Sequence, residues 1–322
     1  MNRNLTVLLL ENVKIHSYQL IYWIESSLLN LKKLKLNSVS LLQDKPFDLV
    51  LDFIAKTKFI NLESLFIGTN VHNPIHFKSI CTLLNHIRVF DVAIECENIS
   101  YDSVDQVLSS QITNSYIISL DIIQSNFHPN VKALENFNFM SIWKDKSQLK
   151  SLNCTYFEKD IKSLDGMVKL NSLTFKIPYL FRKNQIILFE NILKKTKITS
   201  LNMQIYLCGR AYNSQILLQN HTLTHLTIRL ATLSNCLTIL GCQHPTLKSL
   251  RLCIYVNTDP IVSPIVPAIQ NNHTITHLNL GTSLPKTDFN PFSSLIDILK
   301  VNRTLVSLKL PQNDLLKIPQ KF

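Results

Sequence analysis

The chain has 322 residues, 46% of them hydrophobic, enough to bury an extended core, and 33 Lys and Arg against 22 Asp and Glu give a formal charge of +11. No apolar run approaches the eighteen or more residues of a membrane helix, so no membrane span is expected. The 5 glycines lie far apart, which excludes the clustered-glycine loops that cradle phosphates in P-loop and dinucleotide-binding domains.

From the N-terminus, Leu5, Leu8 and Leu10 begin a pattern, Leu-x-x-Leu-x-Leu, in which Ile, Val, Phe, Cys or Met can stand in. Leu31/Leu34/Leu36 and Leu62/Leu65/Ile67 follow, then the weaker Ile87/Phe90/Val92 and Ile117/Leu120/Ile122. Leu149/Leu152/Cys154, Leu170/Leu173/Phe175 and Ile198/Leu201/Met203 come next. Leu223/Leu226/Ile228, Leu247/Leu250/Leu252, Ile275/Leu278/Leu280 and Leu305/Leu308/Leu310 close the series. The period is about 27 residues, with spacings from about 21 to 32, which is the signature of a solenoid. Each trio predicts a short strand with alternate side chains inward. Helical spacing follows at Leu20/Ile21/Ile24/Leu28, Ile80/Leu83/Leu84, Ile186/Ile187/Phe189/Ile192/Leu193 and Leu295/Ile296/Ile298/Leu299. Pro46–Ile54 fits the helix of an ordinary repeat. Ser263-Pro264 and Asn290-Pro291 read as helix starts, and Gly241 as a helix stop.

The turn from helix into strand repeats almost verbatim as Asn220-His-Thr222-Leu, Asn272-His-Thr274-Ile and Asn302-Arg-Thr304-Leu. With these turns the chain resembles the ribonuclease-inhibitor-like class of leucine-rich repeats. The resemblance implies an α/β leucine-rich-repeat solenoid, a curved horseshoe with a parallel β-sheet on its concave face and helices on the convex one. A single solenoid of about twelve repeats over residues 1–322 is expected, since each repeat touches only its neighbours. In the family an Asn three residues beyond the third apolar position bonds loop backbone between turns. Only Asn70 and Asn313 occupy that place, while Val39, Phe157, Pro178, Tyr206 and Tyr255 sit at the equivalent places of other copies. Neither end carries an evident polar cap, so the N-terminal edge is expected to pair with something or to belong to a shortened array.

Met1-Asn2-Arg3-Asn4 leads straight into the first repeat with no secretory signal, so the expected compartment is the cytoplasm or the nucleus. Seven cysteines at irregular spacing, with no Cys-x-x-Cys, read as buried free thiols. Cys236, Cys242 and His244 lack a fourth ligand, so no metal and no cofactor are expected. The Asn-x-Thr turns also match glycosylation acceptors, but the repeat itself accounts for them.

The position before the second Leu faces the concave side. It is usually Ser (Ser64, Ser119, Ser151, Ser172, Ser200, Ser249, Ser307) but is His at His225 and His277. Lys33, Lys35, Asp91, Asp121, Arg229, Arg251 and Lys309 are placed on the same face. His225, Arg229, Arg251 and His277, from successive repeats, form with Lys309 the candidate contact for an acidic partner. No catalytic motif such as Gly-x-Ser-x-Gly or His-Glu-x-x-His occurs, and no small-molecule substrate is evident. The resulting expectation is a non-catalytic intracellular recognition module or scaffold that binds a protein through the concave face. Its alternatives are the recognition part of a ubiquitin-ligase adaptor, a small-GTPase regulator, and a charge-driven nucleic-acid binder. The last is disfavoured because the basic residues are dispersed and aromatic stacking rows are absent.

Overall fold

Alternation of apolar and polar residues makes each repeat motif a parallel strand, one face buried and the other open. In the computed structural model, residues 5–27, 30–42, 47–69, 73, 75–96, 99–100, 112–124, 148–155, 164, 167–176, 185–195, 197–207, 214–254, 262–282 and 291–309 are described. Two compact units divide the chain, Met1–Leu170 and Asn171–Phe322.

The first unit runs β1 (Val7–Glu11), β2 (Lys14–Ile15), α1 (Ser17–Ser26), β3 (Lys33–Asn37), β4 (Ser40–Leu41) and α2 (Asp48–Lys56). Then come β5 (Ser64–Thr69), β6 (Ile75–His76), α3 (Phe77–His86), β7 (Asp91–Cys96), β8 (Ile99–Ser100), β9 (Ser119–Gln124) and β10 (Ser151–Thr155). Its main strands lie side by side in the order β1, β3, β5, β7, β9, β10, while β2 pairs with β4 and β6 with β8. The second unit runs β11 (Ser172–Lys176), α4 (Gln185–Lys195), β12 (Ser200–Leu207), α5 (Ser214–Gln219), β13 (His225–Ala231) and α6 (Leu233–Gly241). It continues with β14 (Ser249–Ile254), α7 (Val262–Gln270), β15 (His277–Thr282), α8 (Pro291–Val301) and β16 (Ser307–Lys309), and its strands lie in sequence order.

The register stacks equivalent leucines. Leu8, Leu34, Leu65, Val92, Leu120 and Leu152 align across the first unit, and Leu173, Leu201, Leu226, Leu250, Leu278 and Leu308 across the second. Helices cover the buried side: α2 turns Val50, Leu51, Ile54 and Ala55 into the core. Its Asp48 and Lys56 sit at the ends where the helix dipole favours them. Between repeats, one carbonyl takes two N–H groups of the next strand's approach, as Thr199 O does from Thr224 and His225. Lys248 O does the same for Thr276 and His277.

Three expectations are corrected. The fourth copy is not Ile87/Phe90/Val92: Phe90 is 53% exposed, while Val89 is buried and Val92 and Ile94 pair with Leu65 and Ile67. The true trio is Val89/Val92/Ile94, because one strand register sets which side chains turn inward. Gly241 is the last residue of α6 and no left-handed stop; positive φ falls at Gln243 instead (49°). Helix α7 starts at Val262, so Ser263 and Pro264 lie inside its first turn, whereas Pro291 does open α8. Asn70 and Asn313 lie outside the described residues.

Asparagines do link the repeats, but at the opposite turn, from helix into strand. Asn272 is buried; its side-chain NH2 donates to Leu240 O (2.6 Å), and its oxygen accepts from the N–H of Thr274 (3.1 Å) and Ile275 (2.9 Å). Asn220 makes the same set with Leu193 O, Thr222 and Leu223, and Asn302 with Ile269 O, Asn272 O, Thr304 and Leu305. Asn114 joins them through Leu84 O, Ile87 O and the N–H of Tyr116. Each side chain thus satisfies backbone groups of two repeats that water cannot reach. On the other turn, buried Asn73 bonds both the N–H and the carbonyl of Leu41.

His244 replaces the asparagine in one turn. Its Nδ1 accepts from the N–H of Thr246 (3.3 Å) and Leu247 (3.1 Å), while its buried Nε2 makes no hydrogen bond of good geometry, though the carbonyls of Asn220 and Leu217 lie beside it. Burial pushes this imidazole below its ordinary pKa, opposed by those two carbonyls. With the folded pKa lowered, the unfolded chain binds the proton first, so stability falls as pH drops through about 6.5 and levels off below the folded pKa. His244→Asn is expected to remove this component, keeping urea midpoints measured at neutral and mildly acidic pH closer together than in the wild type. An unchanged gap between the two midpoints would count against the assignment.

Candidate partner-binding surface

The strands bring all five sequence-chosen residues onto one face. His225, Arg229, Arg251, His277 and Lys309 are exposed, on β13 to β16, opposite the leucine ladder. In the row before the second Leu, His225 pairs with Ser249, Ser249 with His277, and His277 with Ser307. In the next row Thr227 pairs with Arg251, Arg251 with Asn279, and Asn279 with Lys309. Burial raises the thiol of Cys253 above its ordinary value, opposed by the charges of Arg229 and Arg251, which are both near it. Arg251 and His277 therefore lie one row apart on adjacent strands, about 8 Å between Cα atoms, and Arg229 stands beside them on β13 where the register shifts after Ile228.

Both histidines are held by the threonine before them. Thr224 Oγ1 donates to Thr199 O (2.9 Å) and lies 2.8 Å from His225 Nδ1. Thr276 Oγ1 donates to Lys248 O (3.1 Å) and lies 2.9 Å from His277 Nδ1. A hydroxyl has one proton to give, so each threonine accepts from Nδ1–H and each ring presents Nε2 outward. The repeated Thr-His pair in Asn220–Leu226 and Asn272–Leu278 was the available sequence signal for this anchoring.

The two units differ in charge. Residues 1–170 hold 17 Lys and Arg and 17 Asp and Glu; residues 171–322 hold 16 and 5, so the whole +11 belongs to the second unit. Strands β11 to β16 contain no Asp or Glu. The described carboxylates of this unit, Glu190 and Asp297, stand on α4 and α8. Asp259, Asp288 and Asp314 lie outside the described residues.

On the first unit's sheet one pair of opposite charges meets directly. Lys35 Nζ is 3.1 Å from Glu11 Oε1 and 5.3 Å from the Phe66 ring centre, and Ser64 donates to Asp91. Hydrogen bonds from Lys35 and Asn37 hold the Glu11 carboxyl below its usual range. Val7 and Leu9 also open onto this face, making it mixed and partly apolar.

Other chemistry-bearing groups have structural places. Asp48 on α2 accepts from His76 N (3.0 Å) and lies 2.5 Å from His76 Nδ1, tying two repeats together. Cys81, Cys96 and Cys236 are buried, with their thiols pushed up to about 12 by desolvation. No group of three or more His, Cys, Asp and Glu that could hold a metal ion occurs among the described residues. Nor is any helix among them long and apolar enough to cross a membrane. No protein-family model matches the chain, and no curated protein matches it either.

Proposed function

We propose that this chain is a non-catalytic recognition module of the leucine-rich-repeat kind, which binds a protein partner through its exposed strand face. In this reading the repeats form one curved solenoid over residues 1–322, with that face concave. The observation that carries it is the sheet itself: helices cover one side, while the other presents rows of Ser, Thr, Asn, His, Arg and Lys. A face built on paired strands is preformed, so little ordering entropy is lost when a partner docks. Free cysteines, four of them buried among the described residues, support a reducing compartment such as the cytoplasm. Nucleic acid is the second reading, favoured by the concentration of charge in residues 171–322. It has less support because the outward positions of β13 to β16 offer no Phe, Tyr or Trp for bases to stack on.

The test uses steric block. Thr227→Trp with Asn279→Trp fills the middle of the face without touching the core, and Ile187→Trp on the exposed surface of α4 is the control. The double variant is expected to lose at least tenfold of the protein captured from cells by the folded wild type, with the control unaffected. Equal capture by all three would overturn the reading.

A further inference from the structure

We propose that the partner of this face, if the chain is the recognition module inferred above, is an extended acidic protein segment lying obliquely across β13 to β15. Three observations carry the choice of ligand. First, the strands of this unit contain no carboxylate while presenting Arg229, Arg251 and Lys309, so the face offers one sign of charge to whatever approaches. The other unit's sheet instead carries Glu11, Asp91, Glu95 and Asp121 among its lysines.

Second, the spacing is that of a polypeptide. Arg251 and His277 step across adjacent strands at about 8 Å, Arg229 extends that line on β13 just past Ile228, and Lys309, in the row of Arg251, lies off it on the next strand. An extended chain places alternate side chains on one side about 6.8 Å apart, a difference that long Arg and Lys side chains absorb. Asp or Glu at every second position of about five residues would meet Arg229, Arg251 and His277 in turn. Third, the neutral neighbours are Thr227, Ser249 and Asn279, hydrogen-bonding groups that suit a peptide backbone and its carboxylates. His225 and His277 are already oriented by Thr224 and Thr276, so their Nε2 atoms, acceptors in the neutral ring, are placed to take a peptide N–H without a further loss of rotamer freedom. The polar surface, without Phe, Tyr or Trp, offers cations to the phosphates of a nucleic-acid strand but no stacking platform.

The test is fluorescence anisotropy with the full chain and three labelled probes: an alternating Glu-Ser peptide of about ten residues, its Gln-Ser counterpart, and a single-stranded DNA of similar length. The Glu-Ser peptide is expected to bind at least tenfold tighter than the Gln-Ser peptide, weakening as salt rises. Arg229→Glu with Arg251→Glu is expected to reduce that binding by about tenfold or more, Arg229→Gln with Arg251→Gln by less, and Lys33→Glu with Lys35→Glu in the other unit hardly at all. All these side chains lie at the surface, and circular dichroism establishes that each variant is folded.

Equal binding of the two peptides, binding unchanged by the Arg229 and Arg251 charge reversal, or tight binding of DNA alone would each overturn the proposal. Its failure is separable from that of the broader reading. If the acidic peptide is ignored while Thr227→Trp with Asn279→Trp still abolishes protein capture, the face binds a partner of other chemistry. If neither effect is seen, both conclusions fall.

Discussion

Asn272→Ala is expected to destabilise the C-terminal unit by about 4 kcal/mol and to lower its unfolding midpoint by roughly 10 °C. The side chain is small, so lost packing cannot account for a cost of this size. What is lost is three hydrogen bonds at once, from the side-chain NH2 to Leu240 O and from the N–H groups of Thr274 and Ile275 to the side-chain oxygen. These backbone groups belong to neighbouring repeats, and each one left unpaired away from water costs about 1–3 kcal/mol. Asn302 also depends on this turn, since its NH2 donates to Asn272 O (2.7 Å). Asn272→Asp separates donor loss from shape: the introduced carboxylate repels Leu240 O and is buried without a counter-charge. That variant should therefore be worst at neutral pH and recover partly in mild acid, where a protonated carboxyl can donate again. Urea unfolding of the purified chain measures both effects. A loss below about 1 kcal/mol for Asn272→Ala would mean that water replaces the side chain, and that the ladder does not hold the turns.

Leu250→Ala should cost a comparable amount, about 3–4 kcal/mol, for a different reason. Leu250 is 1% exposed and stands between Leu226 and Leu278 in the register. Truncation removes apolar area and leaves a void that two hydrogen-bonded neighbouring strands cannot readily collapse to fill. The damage should stay local, because in a stacked array each repeat contacts chiefly those beside it. Hydrogen exchange is expected to accelerate in β13 to β15 and in α6 and α7, with β1 to β5 keeping their protection. Uniform acceleration along the chain would refute that nearest-neighbour picture. Leu250→Met, which conserves volume, should cost less than about 1.5 kcal/mol and identify the void as the cause.

The face carrying the candidate site was readable residue by residue, because alternation along a strand is a local rule. Once Leu250 and Leu252 turn inward, Arg251 must turn outward. The same rule misplaced the fourth copy. Phe90 and Val89 are both apolar, and only pairing with Leu65 decides that Val92 and Val89 face the core while Phe90 stays open. The asparagine turns were legible as a repeat, but not as the ladder that joins repeats. Their partners Leu193, Leu240 and Ile269 lie 27 to 33 residues away, at the ends of the preceding helices. His244 was visible beside two cysteines and invited comparison with a metal ligand. Its place in the row of asparagines could have been read from His244-Pro-Thr246-Leu247, which matches Asn220-His-Thr222-Leu223 in spacing, but its bonds to Thr246 and Leu247 appear only in the structure.

Charge shows the same division. The total of +11 is a property of composition, and along the chain the basic residues look dispersed. Division into two units assigns the entire excess to residues 171–322, and parallel pairing brings Arg229, Arg251, His277 and Lys309 from four separate strands onto adjacent strands. The sequence by itself determined the strand–helix alternation, the buried leucine positions and the outward identity of each site residue, because these follow from hydrophobic period and local propensity. Only the tertiary structure decided the register, the asparagine ladder and the juxtaposition of Arg229, Arg251, His277 and Lys309. Each of these depends on which residues some 25 to 30 positions apart share a hydrogen bond, and that is settled by the simultaneous packing of neighbouring repeats.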